Sequence, residues 1–103
     1  MTVPPRVVFD NHASNSHTVI EVNGRDRPGL LHDVTAAISD QGLQIASAHI
    51  TTYGERAVDV FYVKDLFGLK VVNQDKLKQV ADTVEKSIRD FDARFEPVPK
   101  AAE

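Results

Sequence analysis

The hydrophobic positions of this chain change period several times, and each change marks an element. Arg6-Val7-Val8-Phe9-Asp10 is a short β-branched and aromatic run, the composition of a strand. Turn-forming "NHASNS" follows it. "HTVIEVNGR" then alternates, with Ile20 and Val22 on one face and Val19 and Glu21 on the other. After Pro28 the period becomes helical. Leu31, Val34 and Ile38 share one face, Leu30 and Ala37 lie beside it, and Gly42 stands at a helix C′ position. "LQIASAHITTY" and "RAVDVFYVKD" read as two strands joined by a tight "GE" connection, a hairpin. "LFGLKVV" is a loop with at most a short extended end. The final pattern is the clearest: Leu77, Val80, Ala81, Val84, Ile88 and Phe91 follow the spacing of an amphipathic helix. Asp82–Lys86 and Glu85–Arg89 are favourable pairs on its wet side, Asn73 suits its N-cap, and Pro97 blocks a long continuation.

The predicted order is strand, strand, helix, strand, strand, helix. Its core is a ferredoxin-like βαββαβ arrangement that lacks the last strand, in the α+β class. Such a fold is a four-stranded antiparallel sheet with two helices on one face, and its last strand lies beside its first. "ARFEPV" supplies that last strand only weakly. "RVVFD", joined by a short loop to "HTVIEV", makes a hairpin in the same slot. The pattern therefore predicts that Arg6–Asp10 takes the edge position, as in a circular permutation. One domain over residues 6–95 is expected, with tails at 1–5 and 96–103 that carry prolines.

One strand is unusual. In "AVDVFYV", Val58, Val60 and Tyr62 fall on one face and Phe61 and Val63 on the other. A sheet with one wet face should alternate apolar and polar residues. Apolar residues in both phases mean either helices on one side and a partner on the other, or a central strand with an unusually apolar exposed face; an oligomer or docking onto another domain is the expected explanation.

Composition narrows the function classes. The 103 residues are 42% hydrophobic and 26% charged, which suits a globular domain. The net charge of −3 argues against a nucleic-acid surface. With no cysteine, disulfides, thiol catalysis and Cys-bound zinc are excluded. No apolar run reaches membrane-span length and "MTVPPRVVFD" has no apolar signal core, so a cytoplasmic protein without membrane contact is expected.

Candidate chemistry is sparse. His12, His17, His32 and His49 form no metal-helix spacing, and His32-Asp33 alone is too little for a metal phosphohydrolase centre. No serine lies in a G-x-S-x-G elbow, and neither a Walker A loop nor G-x-G-x-x-G is present. No catalytic residue, metal site or cofactor is expected. What remains is "NGRDRPGLLHD", residues 23–33. Asp26 could cap the helix, Pro28 suits its first turn, and Gly29 clears space for a close approach. Free N–H groups around Gly29, Leu30 and Leu31 could hold an anion such as an α-carboxylate. Asn23 could read an amino group or amide. The same residues could equally be only a tight turn and a helix start.

The run from Val22 to Val63, with Asp26–Leu31 ("DRPGLL") as its loop signature, resembles an ACT domain, a small-molecule regulatory module. "VVFDNHAS", "TVIEVNGRDRPGLLHD" and "SAHITTYGERAVDVFYVKD" are more specifically similar to the C-terminal ACT domains of bacterial PII uridylyltransferase/uridylyl-removing enzymes, from about Val7 to Ile88. The resemblance implies a regulatory unit that senses an amino acid, glutamine above all. The parent would carry a nucleotidyltransferase domain, which modifies the PII signalling protein and uses Mg2+ and UTP, and an HD-type hydrolase. It also implies pairing with another ACT domain. Carried over, the ligand position comprises Asn23, Arg25, Asp26, Gly29, Leu30 and Leu31, with Ala48, His49 and Ile50 from the neighbouring strand. Asn23 or Asp26 would hold the ligand's ammonium or amide, and the N–H groups near Leu30 its carboxylate. The competing expectation is a dimerisation or docking module that binds no ligand.

Overall fold

The computed structural model describes residues 4–95. The expected tails, 1–5 and 96–103, and the helix stop at Pro97 lie wholly or largely outside the described residues. Six elements run in the expected order: β1 (Arg6–Asp10), β2 (Thr18–Arg25), α1 (Leu30–Asp40), β3 (Leu43–Tyr53), β4 (Arg56–Asp65) and α2 (Gln74–Phe95). The strands form one sheet in the order β1-β2-β4-β3, every neighbouring pair antiparallel. β1 is thus the edge strand beside β2, in the slot the pattern assigned to it, while "ARF" of the rival segment continues α2.

Alternation explains which face is covered. Thr18, Ile20 and Val22 of β2 and Ala57, Asp59, Phe61 and Val63 of β4 are buried, each phase pointing to the helices. They join Leu30, Val34, Ala37 and Ile38 of α1 and Leu77, Val80, Val84 and Ile88 of α2 in one core, against which Val7 and Phe9 of β1 pack. Burying side chains of this size contributes roughly 1.5–3 kcal/mol each before entropy is counted. The face of α1 differs from expectation by one position. Leu30, not Leu31, belongs to the core, and Leu31 is 41% exposed beside the loop that opens the helix.

The ends of the helices follow local chemistry. Asn73 caps α2, its Oδ1 accepting the Lys76 N–H at 2.9 Å. At the end of α1, Gln41 and Gly42 donate to the carbonyls of Ile38 and Ser39, and Gly42 takes φ 76, the left-handed conformation that closes helices. On the wet side of α2 the Glu85–Arg89 pair forms at 3.4 Å, but Lys86 turns forward to Asp90 at 2.6 Å instead of back to Asp82. The Leu66–Asn73 connection is irregular and braced. Asp65 Oδ1 accepts the N–H groups of Phe67 and Leu69, and buried Thr18 accepts the Val71 N–H at 2.8 Å while donating to Asn11 Oδ1 at 2.7 Å.

The other face of the sheet carries Val8, Val19, Val58, Val60 and Tyr62, with Val19 buried and the others half-buried. Both phases of β4 are therefore apolar, and no helix or strand among the described residues packs over this second face. Among the described residues, no helix is long and apolar enough to cross a membrane.

Candidate functional site

The loop between β2 and α1 is built on a turn that Pro28 and Gly29 dictate. The Leu30 N–H donates to the Arg27 carbonyl at 3.2 Å, so residues 27–30 form a β-turn with Pro at its second position and Gly at its third. Gly29 takes φ 81 and ψ −2, the third-position geometry of a type II turn. A side chain there would be strained, and its Cβ would press on Arg27 Nη1 at 3.4 Å. Gly29 is also the N-cap of α1 and makes no side-chain cap bond. This corrects the expectation for Asp26, which does not cap the helix, and for Pro28, which lies before the helix rather than in its first turn. Asp26 is instead fixed through its backbone, donating its N–H to the Glu55 carbonyl in the β3–β4 connection at 2.7 Å.

With Leu30 N–H used by the turn, the N–H groups of Leu31 and His32 remain at the open end of α1, where a helix has no internal acceptors for them. Both residues line a cavity of about 380 Å³, together with Asp26, Arg27, Gly29, Leu30, Ile50, Ala57 and Asp59. That size lies within the roughly 300–1,000 Å³ typical of small-molecule pockets.

Of the residues expected at the site, Asp26, Gly29, Leu30, Leu31 and Ile50 line this cavity. Asn23 does not. It stands in the opposite phase of β2, donates to Glu21 Oε2 at 2.9 Å, and borders a separate cavity with Pro4, Pro5, Arg6 and Arg56. Arg25 points away too, its guanidinium 3.6 Å from the Asp92 carboxylate of α2. Ala48 is exposed opposite Phe61 and is not in the cavity wall. His49 lies on the other sheet face, its ring 5.7 Å from that of Tyr62 in an edge contact. The cause is a register shift between Ile45 and Ser47, which inserts one residue and reverses the phase of β3. Ile50 then stands opposite Asp59 on the helix side, and His49 opposite Val60 on the far side. The sequence carries a trace of this: the apolar positions Leu43 and Ile45 are odd, whereas Ile50 is even.

Four cavity residues lie outside the set expected from sequence: Arg27, His32, Ala57 and Asp59. The Arg27 side chain is only 6% exposed. It forms an ion pair with Asp33 at 2.9 Å, donates to the Pro28 carbonyl at 3.2 Å, and lies 3.4 Å above the Phe91 ring. It clamps the loop to both helices. Asp59 is 2% exposed, and its Oδ1 meets no hydrogen-bond donor among the described residues. Its sequence signal is an acid in the buried phase of a strand, between Ala57 and Phe61.

Burial, and then the nearby Asp26 carboxylate, push the Asp59 carboxyl above its ordinary pKa. Asp26, Arg27 and His32 are the other titratable groups on the cavity wall. The folded protein therefore holds this proton at pH values where the unfolded chain has released it. Folding stability tied to Asp59 is fully present below the ordinary carboxylate pKa and is lost as pH rises through the higher folded value. Replacing Asp59 by Asn should remove that loss. Melting curves from pH 3 to pH 8 should converge for the two proteins at the acid end and separate toward neutrality, with Asp59→Asn the more stable. Parallel curves would refute this titration.

Among the described residues, no three or more His, Asp or Glu side chains converge as a metal site.

Residues 6–91 match the family model described as ACR9-like, ACT-like domain. The chain is 66% identical over 86 residues to the bifunctional uridylyltransferase/uridylyl-removing enzyme of Gluconobacter oxydans (strain 621H), covering 84% of this chain and 9% of that protein. It is 61% identical over 88 residues to the enzyme of the same name from Azospirillum brasilense, covering 85% and 9%. The chain thus spans about a tenth of the length of these relatives. An unknown protein from Galdieria sulphuraria, known from its crystal structure, superposes with a TM-score of 0.52 at 18% identity, over 64% of this chain and 36% of the other. That likeness speaks to the fold alone.

Proposed function

The chain belongs to the ACT-like domain family, and on that premise we propose that it is the amino-acid-responsive regulatory domain of a bifunctional uridylyltransferase/uridylyl-removing enzyme, with glutamine as its ligand. One observation carries the proposal: the cavity at the start of α1 sets acidic groups, Asp26 and Asp59, against the positive end of a helix. A free α-amino acid has the matching pair of charges, an ammonium for the acids and a carboxylate for the N–H groups of Leu31 and His32. In this reading the chain regulates. Transfer of uridylyl groups to PII, with Mg2+ and UTP, and their removal belong to other domains of the parent enzyme.

Isothermal titration with the twenty common amino acids tests the proposal. Glutamine is expected to give a saturable heat, and Asp26→Ala to weaken it at least tenfold. A flat titration with every amino acid would defeat the reading.

A second reading, a docking module that takes no ligand, is favoured by the apolar face of Val58, Val60 and Tyr62 and by the exposed Phe67 on its braced loop. It requires self-association or capture by a second ACT domain, whatever amino acid is present. The amino-acid titration separates the two readings, and light scattering across a concentration series, with and without glutamine, shows whether association depends on ligand.

A further inference from the structure

One oxygen of the cavity's buried acid meets no hydrogen-bond donor among the described residues, and the charges around it define what would complete it. Buried carboxylates are rare unless paired. Yet Asp59 is 2% exposed with Oδ1 unbonded among the described residues. The neighbouring cations each have a charge partner, although Arg27 Nε and Nη2 meet no hydrogen-bond acceptor among the described residues. Arg27 is held by Asp33, the Pro28 carbonyl and the Phe91 ring, and Arg25 reaches Asp92. Asp26, the other acid on the wall, adds negative charge instead of cancelling it. Ile50 and Ala57 are the apolar neighbours on the wall, and Asp59 itself is buried.

Building on the reading of this cavity as an amino-acid seat, we propose that Asp59 is its innermost ligand-contacting group, accepting hydrogen bonds from a protonated primary amine. Exposed Asp26 is the second acceptor, nearer the mouth, and the N–H groups of Leu31 and His32 receive the ligand's carboxylate. The recognised class is a zwitterionic α-amino acid. A carboxylic acid of the same shape without the amine leaves Asp59 unpartnered and is rejected, because an unpaired buried polar group opposes binding. Burial also favours the protonated Asp59 carboxyl in the empty cavity. An arriving ammonium then takes the place of that proton, which leaves to solvent.

Titrations of the whole chain and of Asp59→Asn, each with L-glutamine and with its desamino analogue 4-carbamoylbutanoate, test the assignment. The unaltered chain is expected to bind glutamine at least tenfold more tightly than the analogue. Asp59→Asn should lose at least tenfold in glutamine affinity and most of the discrimination between the two compounds. Its melting temperature, measured alongside, should be equal or higher at pH 7, so the lost affinity cannot be blamed on unfolding. The comparison of the two compounds on the unaltered chain stands even if the variant misbehaves. Unchanged glutamine affinity in Asp59→Asn, or equal affinity of the unaltered chain for both compounds, overturns the role of Asp59 while leaving the amino-acid reading in place. Absence of binding by every amino acid overturns both. A Ca2+ or Mg2+ ion that saturates the site and depends on Asp59, with no response to amines, would also overturn the amine assignment.

Discussion

A chain shortened to begin at Asn11 is expected to lose its cooperative thermal transition, or to melt more than 15 °C lower. The shortened protein lacks β1, which pairs with β2 over five positions from Arg6↔Asn23 to Asp10↔Val19. Val7 and Phe9 are half-buried against the core, so their removal forfeits about 1–1.5 kcal/mol each. The surfaces of Ile20, Val22 and α2 that they cover would meet water, a further contribution of similar size. The sum, on the order of 4 kcal/mol, is a large share of the roughly 5–15 kcal/mol that stabilises a domain, and each kcal/mol moves the melting point of a domain this size by about 4–8 °C. Cutting only residues 1–5 provides the control, with a melting point expected within 2 °C of the parent. Circular dichroism melts of the three proteins decide it. A cooperative, undiminished transition without β1 would mean that the edge slot is dispensable.

The second large effect is expected at Phe61. This side chain is 0% exposed in β4, the strand between β2 and β3, and belongs to the core that both helices share with the sheet. Phe61→Ala removes most of an aromatic ring where surrounding elements are pinned by ladders on both sides, so the cavity can collapse only in part. The expected loss is about 3–5 kcal/mol. His49→Ala, on an exposed residue at the opposite sheet face, should change stability by less than about 0.5 kcal/mol. Urea unfolding followed by circular dichroism provides both values, and the midpoint should move without a change in slope. A loss below about 1.5 kcal/mol at Phe61 would contradict the packing described for β4.

Much of the fold was legible because each element declares its own period. The alternation of "HTVIEV", the 3–4 spacing of α2 and the glycine after α1 are local signals, and local geometry obeyed them. The permuted edge strand was legible for a different reason. A short loop leaves β1 little choice but to fold back antiparallel on β2, and β2 has one vacant side once β4 holds the other. Errors came where two adjacent residues competed for one role. Leu30 and Leu31 both fit a helical stripe, and the turn at Pro28-Gly29 decided which of them points inward. Asp26 looked like a cap, but Gly29 starts the helix three residues later.

The site was legible only along the loop itself. Gly29, Leu30 and Leu31 are contiguous with Asp26, so one turn gathers them. The contributions of the other strands depend on register, which no local pattern states. A single inserted residue in β3 turns Ile50 toward the cavity and His49 away, because side chains alternate and one step reverses every later one. Alternation in β2 places Asn23 away from this cavity, and Arg25 reaches to Asp92 of α2 instead.

The residues alone therefore carry the elements, their order, the edge position of β1 and the turn that opens α1, since each is a matter of neighbouring side chains and backbone freedom. The identity of the cavity's floor belongs to the tertiary structure. Asp59 lies 33 positions beyond Asp26 in the chain. Only the pairing of β4 with β2 and β3 brings the two acids to one cavity under the helix end, Asp59 buried and Asp26 exposed. There burial raises the pKa of Asp59, and no stretch of sequence can say how deep a strand will lie.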